Sequence, residues 1–188
     1  KKAFVFPGQG AQFFGMGKDF YDTYETAKRV YDMAEEATGL NVAEICFTEN
    51  DKLNITEYTQ IAMLTTEIAI LKVIEEKGIK ADCCAGLSLG EYGALAAAEV
   101  MELPDLFRLI RSRGIFMQEA YPVGGAMTAV LGLDADTIGK ICRETPGIVS
   151  IANDNCPGQI VITGEEGAVQ AAAAKLQESG AKRCIPLK

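Results

Sequence analysis

Three features of the 188-residue sequence predict an α/β fold. Two short apolar runs, Ala3–Phe6 and Lys80–Ala85, each lead through a glycine-bearing loop towards a helix. Around them apolar residues recur at helical spacing. From about residue 123 the pattern changes to short strands and helices that alternate in a fixed order. The chain therefore divides into residues 1–122, the front part of a larger α/β unit, and residues 123–187, a compact second subdomain.

Each element has a local reason. Ala3–Phe6 is apolar and stops at Pro7-Gly8, as a buried strand entering a loop does. Residues 18–37 carry Phe20, Tyr24, Ala27, Tyr31 and Ala34 on one face of a single helix. A second helix runs from about Thr56 to Lys77, with Ile61, Leu64, Ile68 and Leu71 aligned and Gly78 as its stop. The Lys80–Ala85 strand is followed by Gly86-Leu87-Ser88-Leu89-Gly90, then by an alanine-rich helix over 91–101. Pro104 opens a helix that reaches about Ala120. In the second part Ala126–Leu131 is a strand, and Asp134 caps a helix to about Glu144. Ile148–Ala152 and Gln159–Thr163 are strands flanking a loop at Asn153–Gly158. A helix over Glu165–Ser179 and a strand over Arg183–Leu187 complete a β-α-β-β-α-β order, which is ferredoxin-like. Residues 1–122 offer only two strands, too few for a covered parallel sheet. The expectation is that the sequence is part of a longer protein or is completed by another chain.

Composition narrows the function. A net charge of −8 with no basic stripe argues against nucleic acid as a partner. Histidine is absent, so no Ser-His or Cys-His pair can be completed within these residues, and the usual zinc ligand sets fail. No metal is expected. The six cysteines form no C-x-x-C pair, and Cys83 and Cys84 read as small buried residues. Scattered thiols of this kind fit a reducing cytoplasm. No stretch is long and apolar enough to span a membrane, so no membrane partner is expected. A monomer is expected.

The chemistry sits in two glycine-bearing segments and one helix. Gly86–Gly90 is a G-x-S-x-G element between a strand and a helix, the context of a nucleophile elbow, against which stands a plain turn. Pro7-Gly8-Gln9-Gly10-Ala11-Gln12 fails as a phosphate loop, since Met16-Gly17 stands where Lys-Ser/Thr is needed. It is either a structural turn or a second source of N–H groups beside the serine. In the helix after Pro104, Leu106, Ile110, Arg113 and Met117 form one stripe. The arginine in it either snorkels and pairs with a structural carboxylate, or grips an anionic substrate bidentately. The polar segment Asn153–Gln159 is a turn or the rim of a cleft.

These pieces together resemble the malonyl-coenzyme A:acyl carrier protein transacylase family. The resemblance rests on FVFPGQGAQ (Phe4–Gln12), GLSLGEY (Gly86–Tyr92), RSRGIFMQEA (Arg111–Ala120), GAMTAVLGL (Gly125–Leu133) and NDNCPGQIVITG (Asn153–Gly164), in that order over essentially the whole chain. It implies an α/β-hydrolase-like large subdomain, incomplete in this chain, with an inserted ferredoxin-like subdomain. It implies Ser88 as the catalytic nucleophile, which accepts malonyl from malonyl-coenzyme A and passes it to the phosphopantetheine thiol of acyl carrier protein. The coenzyme A thioester is a substrate, and no bound cofactor is implied. Backbone N–H groups of Gln9 and Leu89 match the oxyanion hole, and Arg113 matches the ligand of the malonyl carboxylate. Met117, Asn153 and Asn155 are candidate cleft-lining residues. Leu87 stands where many members have histidine, at a position that is not the base. The family's catalytic histidine follows the small subdomain, whereas this sequence stops at Lys188.

Three other readings share parts of the pattern. An acyltransferase domain of a polyketide-type synthase would keep the elbow and Arg113 but select another extender unit. A serine hydrolase would keep the elbow but has no use for Arg113. A catalytically incomplete fragment that serves only as a carrier-binding or scaffold piece would account for the absent histidine. Acyl carrier protein is acidic, so an acidic transacylase needs a local basic patch, for which Lys182 and Arg183 are candidates.

Overall fold

The computed structural model describes residues 1–120 and 123–187. The chain is α/β and forms two compact units, Lys1–Ala120 and Tyr121–Lys188. The expected division at residue 122 lies outside the described residues.

In the first unit β1 (Ala3–Phe6) pairs in parallel with β2 (Cys83–Gly86), in register from Ala3 opposite Cys83 to Phe6 opposite Gly86. Between them come α1 (Lys18–Thr23), α2 (Glu25–Thr38), α3 (Val42–Phe47), a 3-10 turn at Lys52–Asn54 and α4 (Thr56–Glu76). After β2 come α5 (Gly90–Ala97) and α6 (Leu103–Ala120). The long α4 is the axis of this unit and packs against α2 and α6. Ile61, Leu64, Ile68 and Leu71 are all buried, as their spacing predicts. So are Thr59, Gln60, Thr65 and Thr66, which makes α4 buried around most of its circumference. Leu106, Phe107 and Ile110 of α6 are fully buried, and each such side chain contributes roughly 1.5–3 kcal/mol on transfer from water.

Several expectations change. The helix expected over 18–37 is two helices. Tyr24 adopts extended backbone angles (φ −118°, ψ 122°), ends α1 and starts α2. The break lets Tyr21, Tyr31 and Phe47 pack with ring centroids 5.1–5.3 Å apart. The β1 strand, expected to be buried, is buried on one face only. Phe6 is 7% exposed, whereas Val5 is 74% exposed. The same alternation leaves Cys83 exposed and Cys84 half-buried, so the pair is not the buried one expected. The alanine-rich helix ends at Ala97 instead of 101, where Glu99 turns the chain with a positive φ of 54°.

The second unit contains β3 (Gly125–Leu131), α7 (Ala135–Arg143), β4 (Val149–Cys156), β5 (Gln159–Glu165), α8 (Glu166–Glu178) and β6 (Arg183–Leu187). Its four strands run in the order β4-β5-β3-β6, and every neighbouring pair is antiparallel. Val130, Ile160 and Ile162 project to the face on which α7 and α8 contribute Ile138, Cys142, Val169, Ala172 and Leu176. Asp134 Oδ1 accepts from the Thr137 N–H at 2.8 Å, so the predicted N-cap forms. The expected loop at Asn153–Gly158 is mostly strand. β4 continues to Cys156 through two register irregularities, and only Pro157-Gly158 turns. Pairing with β5 satisfies the backbone of an Asn-Asp-Asn run that favours a turn when read alone.

Candidate active site

The Gly86–Gly90 element is built by close approach. A Cβ on Gly86 would stand 1.9 Å from the Gly90 carbonyl oxygen, and one on Gly90 would stand 2.2 Å from the Phe6 carbonyl oxygen. Any side chain at either position would push β1, β2 and α5 apart. Between these glycines Ser88 is held at φ +53°, the left-handed region that L residues seldom occupy. The constraint is imposed by its surroundings: Leu87 N–H donates to the Phe6 carbonyl at 3.1 Å, and Glu91 N–H to the Ser88 carbonyl at 3.2 Å. The serine therefore sits immediately before the N-terminus of α5, where the helix dipole favours negative charge.

The Pro7–Gln12 loop lies against this turn. A Cβ on Gly8 would be 2.7 Å from the Leu87 carbonyl oxygen. Among the described residues, neither the Gln9 nor the Leu89 N–H donates to another protein group. The side chain of Leu89 is fully buried and that of Leu87 is exposed.

Arg113 reaches Ser88 from α6. Its Nη2 donates to Ser88 Oγ at 3.1 Å, its Nη1 donates to Gln60 Oε1, and its guanidinium lies 5.4 Å from the Tyr92 ring centre. Among the described residues no carboxylate pairs with it. Its neighbour Arg111 is different. Arg111 Nη1 lies 3.0 Å from Glu57 Oε2, donates to the Glu57 carbonyl at 2.9 Å and stacks 5.1 Å from the Tyr58 ring. Arg111 thus braces α6 on the first turn of α4, while Arg113 presents an unneutralised cation beside a hydroxyl.

The stripe expected on α6 is shifted. Its buried residues are Leu106, Phe107, Ile110 and Gly114, so Arg113 lies at the stripe's margin. Met117, expected on the stripe, is 44% exposed, because by that turn α6 has run past α4. Asn153 and Asn155 lie on β4 of the second unit rather than in a loop. Asn153 is half-buried opposite Val161, and Asn155 is exposed. Lys182 and Arg183 lie at the start of β6, and Arg183 is exposed.

Gln60 and Tyr92 lie beside Arg113 and Thr56 holds the Gln9 side chain, three contacts that the sequence alone did not single out. Gln60 had one available signal: a long-chain amide immediately before the apolar run Ile61-Ala62-Met63-Leu64. Glu67 lies seven residues on, with both carboxylate oxygens buried and, among the described residues, unpartnered. Burial raises its pKa to about 8. It lines an apolar cavity of about 390 Å³ beside β1, whose lining includes neither Ser88 nor Arg113. Among the described residues no cluster of His, Cys, Asp and Glu could hold a metal ion, and no helix is long and apolar enough to cross a membrane.

Chemically, the elbow presents a constrained hydroxyl beside a guanidinium that, among the described residues, no carboxylate neutralises. Comparison with known proteins gives the family. The malonyl CoA-acyl carrier protein transacylase of Bacillus subtilis is 46% identical over the whole chain, and that of Staphylococcus aureus (strain MRSA252) is 41% identical. The chain spans about three-fifths of these relatives' length (61% and 62%). The crystal structure of MCAT from Streptococcus pneumoniae superposes on all of it with a TM-score of 0.92 at 48% identity, and the chain covers 63% of that structure. A malonyl-transacylase solved in complex with a type II PKS acyl-carrier protein superposes with the same TM-score at 41% identity, 62% of it covered. The acyl transferase domain family matches residues 3–186, and the chain belongs to that family.

Proposed function

We propose that the protein transfers a malonyl group from malonyl-coenzyme A to the phosphopantetheine thiol of acyl carrier protein. Ser88 Oγ attacks the thioester carbonyl, the C–S bond breaks, and coenzyme A leaves as its thiol with the proton that the serine gave up. The thiol of the carrier arm then attacks the malonyl-serine ester and restores the hydroxyl. The negative charge on each tetrahedral oxygen is met by the N–H groups of Gln9, in the loop after β1, and Leu89, at the N-terminal end of α5. The 188 residues hold no histidine. The family resemblance assigns the proton acceptor to a histidine in the part of the relatives' length that this chain does not span. In fold terms, residues 1–122 belong to an α/β-hydrolase-like subdomain. The β4-β5-β3-β6 order of the second unit fits a ferredoxin-like insert over 123–187.

The observation that carries this reading is the unpaired Arg113 guanidinium 3.1 Å from Ser88 Oγ. A hydrolase of neutral esters gains nothing from an uncompensated charge there. A transferase of malonyl gains a bidentate ligand for the distal carboxylate and rejects acetyl, which would leave the cation unpaired.

The test is intact mass spectrometry of the full-length protein after mixing with malonyl-coenzyme A. One added malonyl group is expected, absent in Ser88→Ala. In Arg113→Ala, losing two charge-assisted hydrogen bonds should lower kcat/KM for malonyl about 100-fold or more, while acetyl transfer holds or rises. Equal losses for both acyl groups would overturn the reading.

A further inference from the structure

We infer that Gln60 is a positioning residue that locks the Arg113 guanidinium and the Gln9 loop into one directed hydrogen-bond chain, and thereby sets the acyl selectivity of the Ser88 site. The inference rests on the reading of Arg113 as the ligand of the substrate carboxylate.

Gln60 is 1% exposed, so water cannot substitute for its partners. Its Oε1 accepts from Arg113 Nη1, and its Nε2 donates to Gln9 Oε1 at 2.8 Å. Gln9 Nε2 in turn donates to Thr56 Oγ1 at 3.1 Å. A guanidinium has donors and no acceptor, so only the oxygen end of the Gln60 amide can face it. That leaves the NH₂ end for Gln9, which must then turn its own oxygen inward and its NH₂ towards Thr56. The cation dictates the direction of every bond in the chain.

Two consequences follow. With Nη1 held by a buried amide, the guanidinium keeps a fixed plane, and Nη2 is the edge left to face Ser88 and its acyl group. The side chain of Gln9, whose N–H lies beside the elbow, is fixed by the same contact. Recognition of the distal carboxylate and placement of the oxyanion loop are then joined through one side chain from α4. An arginine without this anchor would keep its charge and lose its aim.

The test compares malonyl and acetyl transfer in the full-length protein carrying Gln60→Glu, Gln60→Leu or Gln9→Leu. Gln60→Glu is isosteric and puts a carboxylate on Arg113, which occupies the guanidinium internally. Malonyl KM should rise at least tenfold, and acetyl transfer, which shares only the lost Gln9 contact, should fall by much less. Lowering the pH should restore part of the malonyl preference as the introduced carboxylate is protonated. Gln60→Leu should lower malonyl kcat/KM about 10–100-fold, the value of one hydrogen bond to a charged group. Gln9→Leu should produce a smaller loss that is not additive with Gln60→Leu. A wild-type ratio of malonyl to acetyl in Gln60→Glu would overturn the inference. So would equal losses for both acyl groups in Gln60→Glu and Gln60→Leu, because a merely structural glutamine has no reason to discriminate them. Arg113→Ala separates the two levels. If it loses malonyl preference while Gln60→Glu keeps it, the functional reading stands and the inference falls. If Arg113→Ala keeps malonyl preference, both fall.

Discussion

Ser88 carries a cost that its position requires. An L residue in the left-handed region is destabilised by about 1–2 kcal/mol relative to glycine, and Ser88 sits there at φ +53°. The turn that imposes this angle also lifts the hydroxyl clear of β2 and places it at the start of α5. Ser88→Gly should therefore raise stability by about 1 kcal/mol while abolishing the acyl-enzyme. Urea melts and intact mass measure the two effects on one sample. A Ser88→Gly protein no more stable than the parent would mean that the strain is relieved elsewhere. G-x-S-x-G was legible in the sequence because its physical demand is local: two glycines and one strained residue within five positions. The meeting of Ser88 with Arg113 was not legible at that level. Twenty-five positions separate them, and only the packing of α6 on α4 closes the distance.

At the scale of the element, α4 holds both the site and a liability. Its buried polar residues divide into two kinds. Gln60 is bonded through both its oxygen and its nitrogen, whereas among the described residues Glu67 has no partner for either oxygen. Burial raises the Glu67 pKa to about 8 from an ordinary value of 4.5. Below pH 4.5 the group is protonated both folded and unfolded, and it costs the fold little. As pH rises from 4.5 to 8 the unfolded chain ionises first, so stability is lost across that window and the loss levels off above 8. Glu67→Gln should be close to neutral at pH 4.5 and stabilising at pH 8, by about 1–3 kcal/mol, the scale of a buried unsatisfied group. Equilibrium melts of the pair at the two pH values decide it. An equal difference at both would show that ionisation is not the cause. Element boundaries were legible where the signal was a cap or a stop, as at Asp134 and Gly78. The six-residue α3 was missed although Asn41 caps it through the Glu44 N–H at 2.8 Å. It is too short to show a period. The break at Tyr24 was missed because aromatic residues at helical spacing continue through it.

On the scale of the whole molecule, the two units differ in how far each completes its own core. The first has a two-stranded sheet with Val5 74% exposed, and an apolar cavity lies beside β1. The second closes a four-stranded sheet under two helices, with Val130, Ile138, Ile162, Ala172 and Leu176 fully buried. The β-α-β-β-α-β order was legible there because each strand is bounded by its own turn residues. The length of β4 was not, because cross-strand pairing overrode the turn preference of Asn153-Asp154-Asn155. The same features protect the sheet's edges. β4 carries polar residues and two register irregularities, and β6 carries Pro186, so neither edge is a clean template for another strand. Residues 123–187 alone should therefore fold and stay monomeric. At this size stability is marginal. A cooperative urea transition with a slope of roughly 1 kcal/mol/M is expected, together with dispersed amide resonances. Met127, Ile185 and Leu187 are 38%, 42% and 45% exposed on the face away from the helices, which is the hazard this prediction must survive. A gradual melt, or association that grows with concentration, would show that this face must be covered before the sheet is stable. The independence argued from its buried core would then fail.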